Sequence, residues 1–237
     1  MINLYGFFIF IGIIFCLISL FFFRKFLIKN NLLNKNEKNF FFEDYYPIFK
    51  NLYLFSFFGG KIFFYLFHYD NSWNNLYDFF SYGFSMFGAS FFGLSYYFYV
   101  LKKYKNYQLL NYLPMFVLII HAFGRIGCYY AGCCGGYFNG YPIQIISSIW
   151  YFFLFIIFFT LIFIFKKKFV NFFKNKYFFF LLLFTFILIV SLERILFDKY
   201  RFDCIYLNKY FSFYQLIGIL YILFFLILSL IFYKKKY

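Results

Sequence analysis

A histidine, an arginine and a cysteine interrupt one of the long apolar runs of this sequence. His121, Arg125 and Cys128 are spaced i, i+4 and i+7, so an α-helix presents all three on one face. An ionisable side chain inside a bilayer costs about 2.5–3.5 kcal/mol on insertion scales, which indicates that it has a partner or a function. The run therefore predicts a polar site on a helix, close to the glycines that follow it.

A second cluster repeats this spacing with Arg194, Asp198 and Arg201. Arg194 and Asp198 can form an ion pair within the helix. The planar guanidinium fork of arginine binds phosphate oxygens in pairs, so Arg125 and Arg194 are candidate ligands for a lipid phosphate at the outer ends of two helices. The alternative is that these residues are buried ion pairs or snorkelling side chains that only stabilise the bundle.

Three cysteines lie between the two clusters, in the order Cys128, Cys133, Cys134. This spacing matches neither the C-x2-C pattern of zinc sites nor the C-x-x-C pattern of thiol redox proteins. The sequence therefore predicts no metal site here. A disulfide between Cys204 and this group is an open alternative if both lie on the oxidising side of a membrane.

The composition indicates what positions these clusters. Of 237 residues, 65% are hydrophobic and 13% charged, whereas soluble domains have about 45–50% and about 25%. The apolar runs are continuous, and only three prolines interrupt the chain. These features predict an all-α integral membrane protein with a single transmembrane domain over residues 1–237. The basic residues that give the net charge of +15 lie mostly between the apolar runs. This distribution argues against a nucleic-acid partner.

The runs predict seven transmembrane helices. At about 20 residues per span, they cover 4–23, 52–67, 80–101, 109–129, 143–165, 177–197 and 211–233. Most lysines and arginines fall in four segments, at 24–50, 102–105, 166–176 and 234–236. Because cytoplasmic loops retain positive charge, the N-terminus is predicted outside and the C-terminus in the cytoplasm. The first span has no basic segment before it, so we expect it to remain in the mature protein.

Residues 124–128 (Gly-Arg-Ile-Gly-Cys) and 132–136 (Gly-Cys-Cys-Gly-Gly) resemble the signature of the prolipoprotein diacylglyceryl transferase family, in the branch with cysteines in place of Asn and Glu. Further stretches follow in the order of that family; they are Tyr5-Gly6, Gly59-Gly60-Lys61-Ile62, 83–88, Tyr141-Pro142-Ile143-Gln144, 194–201 and Gln215. Departures from the pattern are Lys61 for Arg, Phe87 for His, Cys128 for Asn and Ser147 for Glu.

The resemblance implies transfer of a diacylglyceryl group from phosphatidylglycerol to the lipobox cysteine of a preprolipoprotein signal peptide, in the bacterial cytoplasmic membrane and without a cofactor. With this reaction in view, the residues of the two clusters that are candidates for catalysis are His121, Arg125, Arg194 and Asp198. The substrate-binding residues are Tyr5, Gly124, Arg125, Gly127, Cys128, Gly136, Arg194 and Arg201.

The thiol proton of the substrate needs an acceptor, because the thiolate is the nucleophile. His121 is the candidate base, while Asp198 or a water could substitute, and a structural histidine is the rival interpretation. Two other functions compete with the transferase. A small transporter or lipid-binding membrane protein would hold an anion at Arg125 and Arg194, but no inverted repeat is found. A thiol redox protein is disfavoured by the missing C-x-x-C pattern.

Overall fold

The fold is mostly helical. The structure is a computed structural model that describes residues 4–30, 41–67, 85–103, 113–164, 176–202, 206 and 211–234. In the described ranges the helices are α1 (Leu4–Lys29), α2 (Phe41–Phe67), α3 (Met86–Lys103), α4 (Leu113–Tyr130), α5 (Ile143–Ile164), α6 (Lys176–Phe197) and α7 (Phe213–Lys234). A 3-10 turn over Asp198–Tyr200 continues α6. The predicted all-α class is confirmed.

Each predicted apolar run coincides with one of these helices, although the boundaries differ. Within the described ranges, α1, α4 and α5 are long and apolar enough to cross a membrane. Large apolar side chains such as Phe10 and Phe22 are exposed along α1, as expected for a surface that meets lipid. The count of seven spans stays a prediction.

The basic segment at 24–50 is helical at both of its ends, and its cytoplasmic location stays a prediction. Helix α1 continues to Lys29, and α2 already begins at Phe41. Lysine and arginine are good helix formers, so a basic segment does not by itself end a helix. Residues 31–40 lie outside the described residues.

The described residues form two compact units. One comprises Met1–Leu32 and Asn111–Tyr237, and the other Leu33–Leu110. In the first unit α1 and α5 pack against α4, and α6 packs against α7. In the second, α2 packs against α3, where the Ser85 N–H donates to the Gly60 carbonyl at 3.0 Å. The single domain over residues 1–237 stays a prediction.

A short β-hairpin connects α4 to α5. Its strands β1 (Tyr137–Phe138) and β2 (Tyr141–Pro142) are antiparallel. Asn139 and Gly140 have φ values of 49° and 82°, as required at both central positions of a type I′ turn. This hairpin is absent from the predicted elements, although an Asn-Gly pair is the strongest short-range signal for one.

The orientation of the helices rests on the distribution of basic residues. We expect reporter fusions after Lys105 and after Lys236 to report a cytoplasmic location in both cases. An external signal from either fusion would contradict an N-terminus outside with seven spans.

Candidate functional site

The buried carboxylate of Glu193 is the centre of the candidate site. Its side chain on α6 is fully buried. It accepts hydrogen bonds from Arg125 Nη2 at 3.2 Å, from Arg201 Nη2 at 3.0 Å and from Ser147 Oγ at 2.5 Å. These donors come from α4, the segment after α6, and α5, so one carboxylate connects three parts of the first unit.

Asp198 forms a second carboxylate position beside the first. Arg194 Nη1 lies 3.4 Å from Asp198 Oδ1, one helical turn away, and Arg194 Nε lies 3.7 Å from Glu193 Oε2. Arg201 Nε lies 3.8 Å from Asp198 Oδ1, and the Ser212 hydroxyl donates to Asp198 Oδ2. The predicted Arg194–Asp198 pair is present, and it belongs to a network that also contains Glu193.

The charges of this network do not balance. Arg125, Arg194 and Arg201 carry three positive charges, and Glu193 and Asp198 carry two negative ones; all five are buried. One unit of positive charge therefore remains among these five residues, at a place where isolated charges are costly. The Nη1 group of Arg201 is buried and has no hydrogen-bond partner in the described part of the chain. The network can therefore accept an anion.

A capping box holds the start of α7 against this network. The Gln215 N–H donates to Ser212 Oγ at 3.0 Å, and the Ser212 N–H donates to Gln215 Oε1 at 3.0 Å. Gln215 Nε2 also donates to the Ile195 carbonyl at 3.0 Å. Gln215, which matches a glutamine of the family pattern, thus fixes the position of Ser212. The Ser212 hydroxyl in turn donates a hydrogen bond to Asp198.

Gly136 allows the hairpin loop to lie directly on the backbone that carries Arg201. Gly136 and Arg201 form an antiparallel bridge, and the Phe202 N–H donates to the Gly135 carbonyl at 2.8 Å. A β-carbon at Gly136 would overlap the Tyr200 carbonyl oxygen. The prediction of Gly136 as a substrate-binding residue is not tested, but its structural role is to position Arg201.

Helix α4 ends in a Schellman motif that brings two cysteines together. The Cys133 N–H donates to the Cys128 carbonyl at 3.1 Å, and the Gly132 N–H donates to the Tyr129 carbonyl at 3.2 Å. Gly132 has φ +67°, the left-handed conformation that this motif needs. The C-x4-C spacing of Cys128 and Cys133 therefore matches the two positions that a Schellman motif brings side by side.

The three thiol groups of Cys128, Cys133 and Cys134 lie within 4.8 Å of one another. All three are free thiols. Hydrogen bonds from Cys128 and Cys133, together with the charges of Arg125 and Arg194, lower the pKa of the Cys134 thiol well below its usual range.

His121 packs between aromatic rings. Its imidazole stacks on Tyr151, with ring centroids 5.5 Å apart, and on Phe186, at 5.9 Å. Within the described residues the structure shows no hydrogen bond from His121 to another helix. It shares α4 with Arg125, as predicted from the spacing.

The other predicted residues lie where α1 packs on α4. A β-carbon at Gly127 would lie 3.2 Å from the Tyr5 carbonyl oxygen, and one at Gly124 would lie 4.0 Å from Ile9. Tyr5, Gly124 and Gly127 therefore sit at one helix interface. Lys61, which stands where the family pattern has Arg, is buried in the other unit. The side chain of Phe87 and the residue Cys204 lie outside what the structure describes.

The site contains residues that the sequence analysis did not assign to it. Glu193 and Ser212 are absent from the predicted set, and Ser147 was noted only as a departure from the family pattern. A glutamate within an apolar span is costly unless it is paired, so that cost was the available signal for Glu193.

Comparison with known proteins supports one family. The family model for prolipoprotein diacylglyceryl transferase matches residues 1–231 of the chain. No match was found among curated proteins or among solved structures.

Proposed function

The chain belongs to the prolipoprotein diacylglyceryl transferase family, and we propose from this premise that its donor is phosphatidylglycerol and its acceptor the lipobox cysteine of a preprolipoprotein signal peptide. In this reaction a bond forms between the cysteine sulfur and the terminal glycerol carbon of the diacylglyceryl group. The bond from that carbon to the phosphate oxygen breaks, and glycerol phosphate leaves. The thiol proton passes to a base.

The positive charge around Glu193 is the observation that carries this proposal. The phosphodiester of phosphatidylglycerol carries one negative charge, which equals the charge left over by Arg125, Arg194, Arg201, Glu193 and Asp198. Negative charge grows on the leaving phosphate as the carbon–oxygen bond breaks, so fixed guanidinium groups in a dry site stabilise the transition state. Arg201 Nη1, which has no hydrogen-bond partner among the described residues, is the proposed donor to a phosphate oxygen.

A comparison of donor lipids tests the phosphate site. Phosphatidylethanolamine has the same phosphodiester but adds an ammonium group, which the arginines repel. We expect the purified protein in vesicles of equal lipid content to modify a lipobox peptide with phosphatidylglycerol and not with phosphatidylethanolamine. Equal rates with the two donors would contradict recognition by surplus positive charge.

The site is proposed to act in the bacterial cytoplasmic membrane, in a multi-pass protein.

We propose His121 as the base. Both oxygens of the rival, Asp198, already accept hydrogen bonds from Arg194 and Ser212. His121→Phe keeps an aromatic ring for Tyr151 and Phe186 while removing the proton acceptor. We expect this variant to fold and to lose about 100-fold or more in turnover. Full turnover in the folded variant would leave His121 a packing residue and return the base to Asp198 or water.

Direct transfer needs no covalent enzyme intermediate. The substrate already supplies a thiol, and a relay through Cys128 would require breaking an alkyl thioether, which is harder than expelling phosphate. We therefore expect the Cys128→Ser, Cys133→Ser and Cys134→Ser triple variant to retain measurable transferase activity, assayed on the lipobox peptide. Complete loss in a folded variant, with diacylglyceryl trapped on Cys128 of the parent, would contradict direct transfer.

A further inference from the structure

The three-cysteine cluster at the end of α4 has no task in the proposed transfer reaction. Its sulfur atoms lie within 4.8 Å of one another although the residues belong to a helix end and a loop. The spacing of the cysteines lacks the C-x2-C pattern, and on that ground the sequence predicts no metal here. The Schellman ending of α4 brings Cys128 and Cys133 close together without a C-x2-C pattern. The spacing therefore does not exclude a metal.

The backbone around the cluster is fixed by specific contacts. Cys133 is held over Cys128 by its N–H bond, and Cys134 has φ 53°, so the chain turns back immediately after it. Gln144 Nε2 at the start of α5 donates to the Cys133 carbonyl at 3.1 Å. Gln144 is buried, and its Oε1 atom has no hydrogen-bond partner among the described residues. Hydrogen bonds therefore fix the backbone of the cluster, and the buried acceptor Gln144 Oε1 nearby is without a partner among the described residues.

The distances suit a metal with three sulfur ligands. A metal–sulfur bond of about 2.3 Å places three sulfurs of a trigonal site about 4 Å apart. Sulfurs that already lie within 4.8 Å reach this separation with small side-chain adjustments. Thiolate ligands select soft cations such as Cu(I) and Zn(II). No histidine or carboxylate of the described residues joins the group as a fourth ligand, and zinc in structural sites almost always takes four.

We propose that Cys128, Cys133 and Cys134 form a three-coordinate site for one Cu(I) ion. Binding forms three copper–sulfur bonds, and the thiol protons that they replace go to solvent. The bound ion connects the end of α4 to the loop that carries Gly136, and hence to the backbone of Arg201, so we assign it a structural role.

Copper binding to the purified protein tests this site without any substrate. The full chain, reduced and kept without oxygen, is titrated with Cu(I) alone against a coloured Cu(I) chelator. We expect one equivalent per chain to be retained. Cys128→Ser, Cys133→Ser and Cys134→Ser should each weaken retention by about 10-fold or more, since even an outer-shell change costs 10–100-fold. Bound Cu(I) should also raise the thermal midpoint of the parent and not that of the triple serine variant.

Cys16→Ser is the matched control, because Cys16 is a buried free cysteine of α1 outside the cluster; it should retain Cu(I) like the parent. Absence of Cu(I) retention by the folded, reduced parent would overturn the site, as would equal retention by the triple variant. Zn(II) bound more tightly than Cu(I) would overturn the three-coordinate assignment. None of these outcomes depends on transferase activity.

Discussion

Replacing Glu193 by glutamine is expected to have the largest effect of any substitution at the site. The change removes the one carboxylate that Arg125 and Arg201 both bond, and it leaves three buried guanidinium groups facing a single carboxylate. Breaking a buried ion pair by removing one partner typically costs about 3–5 kcal/mol. We expect a strong loss of folded protein, measured by thermal unfolding in detergent, together with loss of transferase activity in whatever remains folded.

A compensating substitution tests whether the network needs Glu193 itself or only a carboxylate at this place. Ser147 Oγ lies 2.5 Å from Glu193 Oε1, and the family pattern has Glu at the Ser147 position. In this chain, the carboxylate of α6 therefore occupies the place that a carboxylate on α5 would reach. Ser147→Glu combined with Glu193→Gln should recover much of the stability and activity lost by Glu193→Gln alone.

Ser148 provides the matched control for this rescue. It is also buried on α5, next to Ser147 in the chain, and the hydrogen bonds of the described residues include one from Ser147 to Glu193 and none from Ser148. The Ser148→Glu, Glu193→Gln double variant should recover neither stability nor activity. Equal recovery with Glu at either position, or a Glu193→Gln variant as stable and active as the parent, would contradict a network organised around one carboxylate position.

Arg125→Lys and Arg194→Lys are expected to lower turnover while leaving the chain inserted. Lysine keeps the positive charge but loses the rigid planar fork, so its donors are no longer fixed toward Glu193 and a phosphate oxygen together. If each variant loses about 1.4 kcal/mol of transition-state stabilisation, turnover falls by about 10-fold. The measurement is kcat with phosphatidylglycerol and a lipobox peptide, at matched amounts of folded protein.

The control for these variants is Arg24→Lys. Arg24 lies on α1, whereas the arginines of the network lie on α4, on α6 and in the segment after α6. This variant should keep the turnover of the parent. Full turnover in both Arg125→Lys and Arg194→Lys would reduce these arginines to structural ion pairs, the alternative that their sequence positions left open.

The sequence predicted the helices and the part of the site that is formed by Arg125, Arg194, Asp198 and Arg201. Continuous apolar runs located all seven described helices, because membrane insertion depends mainly on the hydropathy of a segment. Spacing within one helix predicted the Arg194–Asp198 pair, because both partners lie one turn apart on the same face. Those inferences need only local information.

Contacts between elements could not be obtained in this way. Glu193 precedes Arg194 and falls outside the i, i+4, i+7 pattern, so its role depends on how α4 and α5 pack against α6. The proximity of Cys128 and Cys133 depends on how α4 ends, with Gly132 in the left-handed conformation after the last helical turn. The position of Arg201 depends on a backbone bridge to Gly136, which no spacing encodes.

The most direct test of the account is the product made by the purified protein from phosphatidylglycerol and a lipobox peptide. Mass spectrometry should show a diacylglyceryl group attached to the peptide cysteine through a thioether, with one glycerol phosphate released per modified peptide. The Arg125→Lys variant should make the same product more slowly. A folded parent that forms no such product, or that transfers only an acyl chain to the peptide, would contradict diacylglyceryl transfer at the arginine network.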